Sequence, residues 1–234
     1  MKGTLRLSII IPVLNEEKNL TELIPHLQKF GGDFIEDIQV VDGGSLDRSV
    51  VISESFGVNV LHSPEANRAA QMNLGAKEAK GNVLYFVHAD TRPPWDFAGQ
   101  IQIAWLKGYK AGCYRYQFDS KSILLKFNSY FTRFNGPFAG VGDQTLFITR
   151  GFFDRLGGFD PEFEMMEDFE LVKRIKKYSN FLILPEIVTV SARKYSTNSW
   201  MKVQLLNAWA FILFMTNSDP KKIKSVYQNR LQKY

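Results

Sequence analysis

The stretch "RLSIIIPVLNEEKNLTELIPHLQKF" (residues 6–30) decides the fold. Its first half is a near-continuous, β-branched apolar run, as expected of a strand buried on both faces of a parallel sheet. Its second half reads as a helix. Leu20, Leu23, Ile24 and Leu27 recur on one face, Asn15 suits the N-cap, and Glu16 and Glu17 suit the positive end of the dipole. Gly31-Gly32 ends it. The pattern then repeats. "DIQVVD" (37–42) is a second strand and "LDRSVVISESFG" (46–57) a second helix, with Ser45 placed to cap it. "VNVLHS" (58–63) is a third strand, and "ANRAAQMNLGAKEAK" (66–80) a helix closed by Gly81. "NVLYFVHAD" (82–90) is a fourth strand, stopped by Thr91, Arg92 and two prolines. Strands alternating with helices at this spacing imply a right-handed, mainly parallel sheet flanked by helices, an α/β fold of Rossmann-like type.

Beyond residue 95 the pattern loosens. A helix over 97–108, a strand over 110–118 and a strand, turn and Gly-Gly turn over 143–160 are expected. "EDFELVKRIKKY" (167–178) reads as a helix and "FLILPEIVTVSARKY" (181–195) as strand-like. Phe127, Tyr130, Phe131 and Phe134 fall at helical spacing beside Lys126 and Arg133; such a stripe points to the core before it points to a ligand surface. Residues 1–199 are expected to form one domain. Residues 200–234 add an apolar helix and a basic tail that pack on the same domain, in a homodimer or on a membrane surface.

With 234 residues the chain can bury one sizeable core. Its net charge of +5 is concentrated in residues 217–234, where five basic residues face Asp219 alone. The basic balance therefore belongs to the tail, either as a solvated helix or as an attraction to anionic lipid, and argues against nucleic acid as a partner. The single cysteine, Cys113, excludes an intramolecular disulfide and fits a reducing compartment. No signal peptide is visible, so the expected location is cytoplasmic, at the inner membrane face if the tail docks there. The unbroken apolar segment Ala208 to Met215 is too short to span a bilayer.

In an open parallel sheet, ligands bind beyond the carboxyl ends of the strands. Those ends read Pro12 to Glu16, Asp42-Gly43-Gly44-Ser45, His62-Ser63 and His88-Ala89-Asp90, so polar groups gather on one rim. The first turn, "PVLNEE", lacks the glycines of a dinucleotide fold, which argues against NAD.

Five motifs in order, "IIIPVLNEEKNL", "VVDGGSLDRS", "NRAAQMNLGAKEAKGNVLYFVHADT", "GGFD" and "MEDFELVKRI", resemble the family-2 glycosyltransferases of the GT-A fold. They are most similar to a small bacterial branch carrying H-A-D-T. The resemblance covers about residues 5 to 195. It implies a nucleotide-diphospho-sugar donor (a UDP-sugar or GDP-sugar), a hydroxyl acceptor, a divalent cation (Mn²⁺ or Mg²⁺) and inversion at the anomeric carbon.

Carried over by position, the backbone from Pro12 to Asn15 and the Glu16 side chain would line the nucleoside pocket. Leu14 stands where some relatives place an aromatic. Asp42 would bond the base, the alternative being a turn aspartate, and Arg68 would contact base or diphosphate. Asp90 would ligate the cation directly. His88 departs from the commoner pattern, which has Asp there; imidazole could bond ribose or phosphate, or favour Mn²⁺. Asp168, the second acid of Glu167-Asp168, matches the family's base. Gly142, Asp143 and Gln144 would face donor sugar or acceptor, and Arg193 with Lys194 would reach the diphosphate. Two other readings compete. A nucleotidyltransferase usually has a glycine-rich basic loop after the first strand, which "PVLNEEKN" is not. A catalytically weakened nucleotide-sugar-binding protein would carry His88 as its lesion.

Overall fold

The computed structural model describes residues 4–136, 142, 144–228 and 230–231. The strands are β1 (Leu7–Val13), β2 (Ile35–Asp42), β3 (Asn59–His62), β4 (Val83–Phe86), β5 (Thr91–Arg92), β6 (Ala111–Phe118), β7 (Leu146–Thr149) and β8 (Phe181–Val190). They form one sheet in the order β3-β2-β1-β4-β7-β6-β8-β5. Parallel pairing joins β1 to β2 and β4, β2 to β3, and β6 to β8. The sheet reverses where β7 enters antiparallel between β4 and β6.

Helices α1 (Glu17–Gly31), α2 (Ser49–Ser55), α3 (Arg68–Glu78), α4 (Phe97–Leu106), α5 (Ile123–Tyr130), α6 (Arg150–Leu156) and α7 (Glu167–Tyr178) follow in chain order. After β8 come α8 (Lys194–Thr197), α9 (Trp200–Met215) and α10 (Pro220–Gln228). The expected Rossmann-like, mainly parallel sheet flanked by helices, with a C-terminal helical extension, is what the chain forms.

The alternation of β1 explains why it had to be apolar on both sides. Leu7, Ile9, Ile11 and Val13 enter a core shared with Leu20, Leu23, Ile24 and Leu27 of α1. Ile10 enters a second core with Ala69, Met72 and Ala76 of α3 and Leu171, Val172 and Ile175 of α7. A third apolar cluster joins Ala210, Leu213 and Phe214 of α9 and Ile223 of α10 to Met166, Phe163 and Phe169. The C-terminal helices thus pack beside the loop that leads into α7.

Several local expectations fail for identifiable reasons. Asn15 is not the N-cap of α1. It takes a left-handed φ of 57°, which Asn tolerates better than most residues, and its side-chain carbonyl accepts the Leu46 N–H. Ser45 does not cap α2; its hydroxyl accepts the Asn15 N–H, and Asp47 accepts from Ser49 instead. The fourth strand stops at Phe86, because the His88 carbonyl accepts the Thr91 N–H in a turn. Thr91-Arg92 then pairs with β8 rather than ending the element. The aromatic stripe of residues 127–134 lies on the surface, not in the core.

Candidate active site

The rim beyond β1, β2 and β4 is built by side chains that tie neighbouring loops together. Asp42, buried at the end of β2, spends its carboxylate on the N–H groups of Gly44 (2.9 Å) and Ser45 (3.1 Å). His62 Nδ1, at the end of β3, lies 3.9 Å from it. Asp42 is therefore the anchor of the 43–45 turn, and a carboxylate with about four lone-pair sites keeps acceptor capacity for a further donor.

Gln71, which no pattern singled out, sits buried on α3 and donates to the carbonyls of Val13 (2.9 Å) and Val41 (2.7 Å). It clamps the ends of β1 and β2. A Cβ on Gly43 would lie 3.0 Å from that amide, so the turn passes close over it. Asp47 adds a second tie by accepting the Glu17 N–H (3.0 Å) and the Ser49 N–H (2.9 Å).

Asp90 is carried by the turn between β4 and β5. Arg92 holds that turn down, donating to the carbonyls of Ala89 (3.1 Å) and Asn19 (3.1 Å) and to Glu22 (3.1 Å). Because Thr91 pairs with Val190, the chain leaving β8 brings Arg193 back over the turn. Its guanidinium lies 3.4 Å from Asp90 Oδ2 and grips Glu16 with both terminal nitrogens, Nη1 at 2.8 Å. Glu16 also accepts from Asn19 Nδ2 (2.6 Å). Its carboxylate is thus engaged by Arg193 and Asn19. Pro12 and Leu14 flank the same loop, Leu14 exposed and Pro12 half-buried.

A second acidic centre forms at the start of α7, after Met166 turns the chain with a left-handed φ of 68°. Glu167 is buried and accepts from Arg68 Nη1 (3.2 Å), which reaches it from the first residue of α3. Asp168 accepts from the Gly142 N–H through Oδ2 and from the Phe169 N–H through Oδ1 (2.8 Å). Burial, and then the neighbouring Glu167 carboxylate, push the Asp168 pKa up to about 8, against the opposing pull of those two N–H groups and Arg68. A carboxylate pushed to that range is a candidate proton acceptor.

The remaining expected site residues divide. Gly142 meets Asp168 directly. Gln144 is buried and donates to the Tyr114 carbonyl (2.7 Å), so it serves the β6 end of the sheet rather than an open donor or acceptor pocket. Lys194 donates to the Tyr227 hydroxyl (3.3 Å). Asp143 lies outside the described residues. His88 is half-buried in the turn that carries Asp90.

Among the described residues, no group of three or more His, Cys, Asp and Glu side chains converges as a metal cage. Asp90 offers one carboxylate and Arg193 already places positive charge against it. That donor set fits a cation carried by a diphosphate, whose oxygens supply the other ligands, and not a cation held by protein alone.

Comparison with known proteins bears on the fold and the family. GlyG, a glycosyltransferase of Streptococcus pneumoniae, is 37% identical over 90 residues, 36% of this chain. The matched stretch spans only 30% of GlyG. Among solved structures, Staphylococcus aureus TarS residues 1–349 gives a TM-score of 0.65 at 17% identity, covering 96% of this chain and 71% of that one. The mannosyltransferase PcManGT of Pyrobaculum calidifontis, in complex with GDP-Man and Mn²⁺, gives 0.66 at 16% identity, covering 89% and 62%. At such identities the likeness speaks for the fold, which is GT-A. The profile of glycosyl transferase family 2 matches residues 8–154, the part that carries β1 to β7 and the Asp42 and Asp90 turns. With more than half of the chain matched, this protein belongs to glycosyl transferase family 2.

Proposed function

We propose that this chain is an inverting glycosyltransferase that moves a sugar from a UDP-sugar or GDP-sugar to a hydroxyl acceptor, with a divalent cation at Asp90. The observation that carries the reading is the pairing of two acidic centres with two arginines: Asp90 and Glu16 with Arg193, Glu167 and Asp168 with Arg68. One centre suits a diphosphate and its cation. The other suits proton removal from a nucleophile. The neighbour solved with GDP-Man and Mn²⁺ supports that donor chemistry, as does a TarS structure with UDP.

In this reading Asp168 accepts the proton of the acceptor hydroxyl as its oxygen attacks the anomeric carbon. The bond from that carbon to the diphosphate oxygen breaks, the electron pair leaves with the nucleoside diphosphate, and the configuration inverts. Arg193 swings its guanidinium from Asp90 and Glu16 toward the departing phosphates, a planar cation suited to their oxygens. When bound, the cation offsets charge developing on the diphosphate. Asp42 and the Pro12–Asn15 backbone face the nucleoside, and Arg68 holds Glu167 in place beside Asp168.

A panel of UDP- and GDP-sugars, assayed for nucleoside diphosphate release with Mn²⁺ or Mg²⁺, tests the proposal. One or a few donors are expected to turn over, and Asp90→Ala to abolish release. Stabilisation by nucleoside triphosphates but not diphosphates would point to nucleotidyl transfer and overturn it.

A further inference from the structure

Helix α9 is apolar on opposite sides. Leu206, Ala210, Leu213 and Phe214 are buried. Met201, Leu205, Trp209, Ile212 and Met215 are 47% to 64% exposed. Their spacing of four, four, three and three residues makes one stripe, about 21 Å long. Helix α5 and the turn after it present a second apolar surface. Phe127, Tyr130, Phe131 and Phe134 are 49% to 59% exposed and contact one another edge-on, with ring centroids 5.0 Å apart for Phe127 and Phe131. Arg133 stacks its guanidinium 3.9 Å over Tyr130.

The two surfaces start from one place. Leu125 of α5 and Trp200 of α9 pack in the same core, and a cavity of about 350 Å³ separates Ser122 and Leu125 from Ser199 and Trp200. Two exposed apolar surfaces of this extent, one on each helix, mark an interaction site.

Charge identifies the partner. The chain has 24 acidic residues, yet none lies in residues 120–136 or 187–218. Lys121, Lys126, Arg133 and Lys202 are exposed in those segments. A two-fold contact between copies would set basic rim against basic rim with no acid to offset it. Anionic headgroups offset it, while aromatic and aliphatic side chains enter the interface below them. We infer that the α5 surface and the outer stripe of α9 dock this chain on an anionic phospholipid bilayer. No helix among the described residues is long and apolar enough to cross a membrane, so the contact is interfacial. The inference rests on the surface and is independent of the chemistry proposed above.

Vesicle flotation of the 234-residue chain tests it. Phosphatidylcholine vesicles with about 30 mol% phosphatidylglycerol should bind at least about tenfold more protein than pure phosphatidylcholine. Binding should fall as salt rises from about 0.05 to about 0.5 M. Leu205→Glu with Ile212→Glu, and separately Phe127→Ser with Phe131→Ser, should each cut the bound fraction at least about fivefold. Lys121→Glu with Lys126→Glu should do the same with both apolar surfaces intact. Thermal melts and nucleoside diphosphate binding should match the parent, showing that the variants fold. A parent protein that does not float with anionic vesicles at low salt, including one whose stripe proves buried in a homodimer, overturns the inference. So does binding that survives all three double substitutions.

Discussion

Replacing Asp168 with Asn separates its chemistry from its packing. The two side chains have nearly the same shape. Asn can still accept one of the N–H groups that Asp168 now receives from Gly142 and Phe169, and loses the other, at a cost of about 1 kcal/mol. Against that stands the ionisation of the aspartate. Its folded pKa, about 8, lies above its ordinary value of 3.8, so the folded protein holds the proton more tightly than the unfolded chain. The stability this confers is complete below about pH 4 and is lost as pH rises toward 8. The Asp168→Asn variant has no such dependence at this position.

Between pH 5 and pH 8 the stability difference should therefore move in favour of the variant, by on the order of 3–4 kcal/mol. For a chain of this length that corresponds to about 6–16 °C in Tm. Activity should move the other way, falling about 10²- to 10⁴-fold for loss of a general base. In the parent, kcat/KM should climb with pH through a midpoint near pH 8 and level off above it. Paired melts at pH 5 and pH 8, with donor-to-acceptor transfer rates, check both halves. Transfer within tenfold of the parent would refute the assignment of the base. A Tm difference that does not change with pH would refute the account of its environment.

Three other substitutions probe the supports of the site. Arg193→Met removes the guanidinium from Asp90 and Glu16; nucleoside diphosphate affinity with Mn²⁺ should drop about tenfold, while Mn²⁺ binding without nucleotide, read by electron paramagnetic resonance, should rise. His88→Asp restores a second acid beside Asp90, and the ratio of Mg²⁺- to Mn²⁺-supported turnover should increase. Gln71→Leu leaves the Val13 and Val41 carbonyls without their buried donor, and denaturant unfolding should show a loss of about 2–3 kcal/mol.

The alternating helices and the buried runs of β1, β2 and β4 were legible because each is decided by local hydrophobic period. α7 was legible to the residue, since its apolar positions and its acidic first turn agree. The rim positions of Asp42 and Asp90 followed from strand order alone. What escaped has no local signature. β5 exists only because Thr91-Arg92 meets Thr189-Val190, a pairing across about a hundred residues, and the same pairing delivers Arg193 to Asp90. Asn15 is equally at home at an N-cap or in a left-handed turn, and the 45–46 loop chose the turn. The 127–134 aromatics show that helical period reveals an apolar face but not whether the fold supplies anything to cover it. Gln71 looks like any polar residue on a helix until its amide is seen against two strand ends.

In the proposed reaction a single displacement takes place at the anomeric carbon, with Asp168 taking the acceptor proton and the nucleoside diphosphate leaving from the opposite side. Proton NMR of the glycoside formed from an α-linked nucleotide sugar, whose anomeric configuration is fixed on transfer, reads this directly. A β-configured product should be the first species to appear, and an α-configured first product would contradict a single displacement.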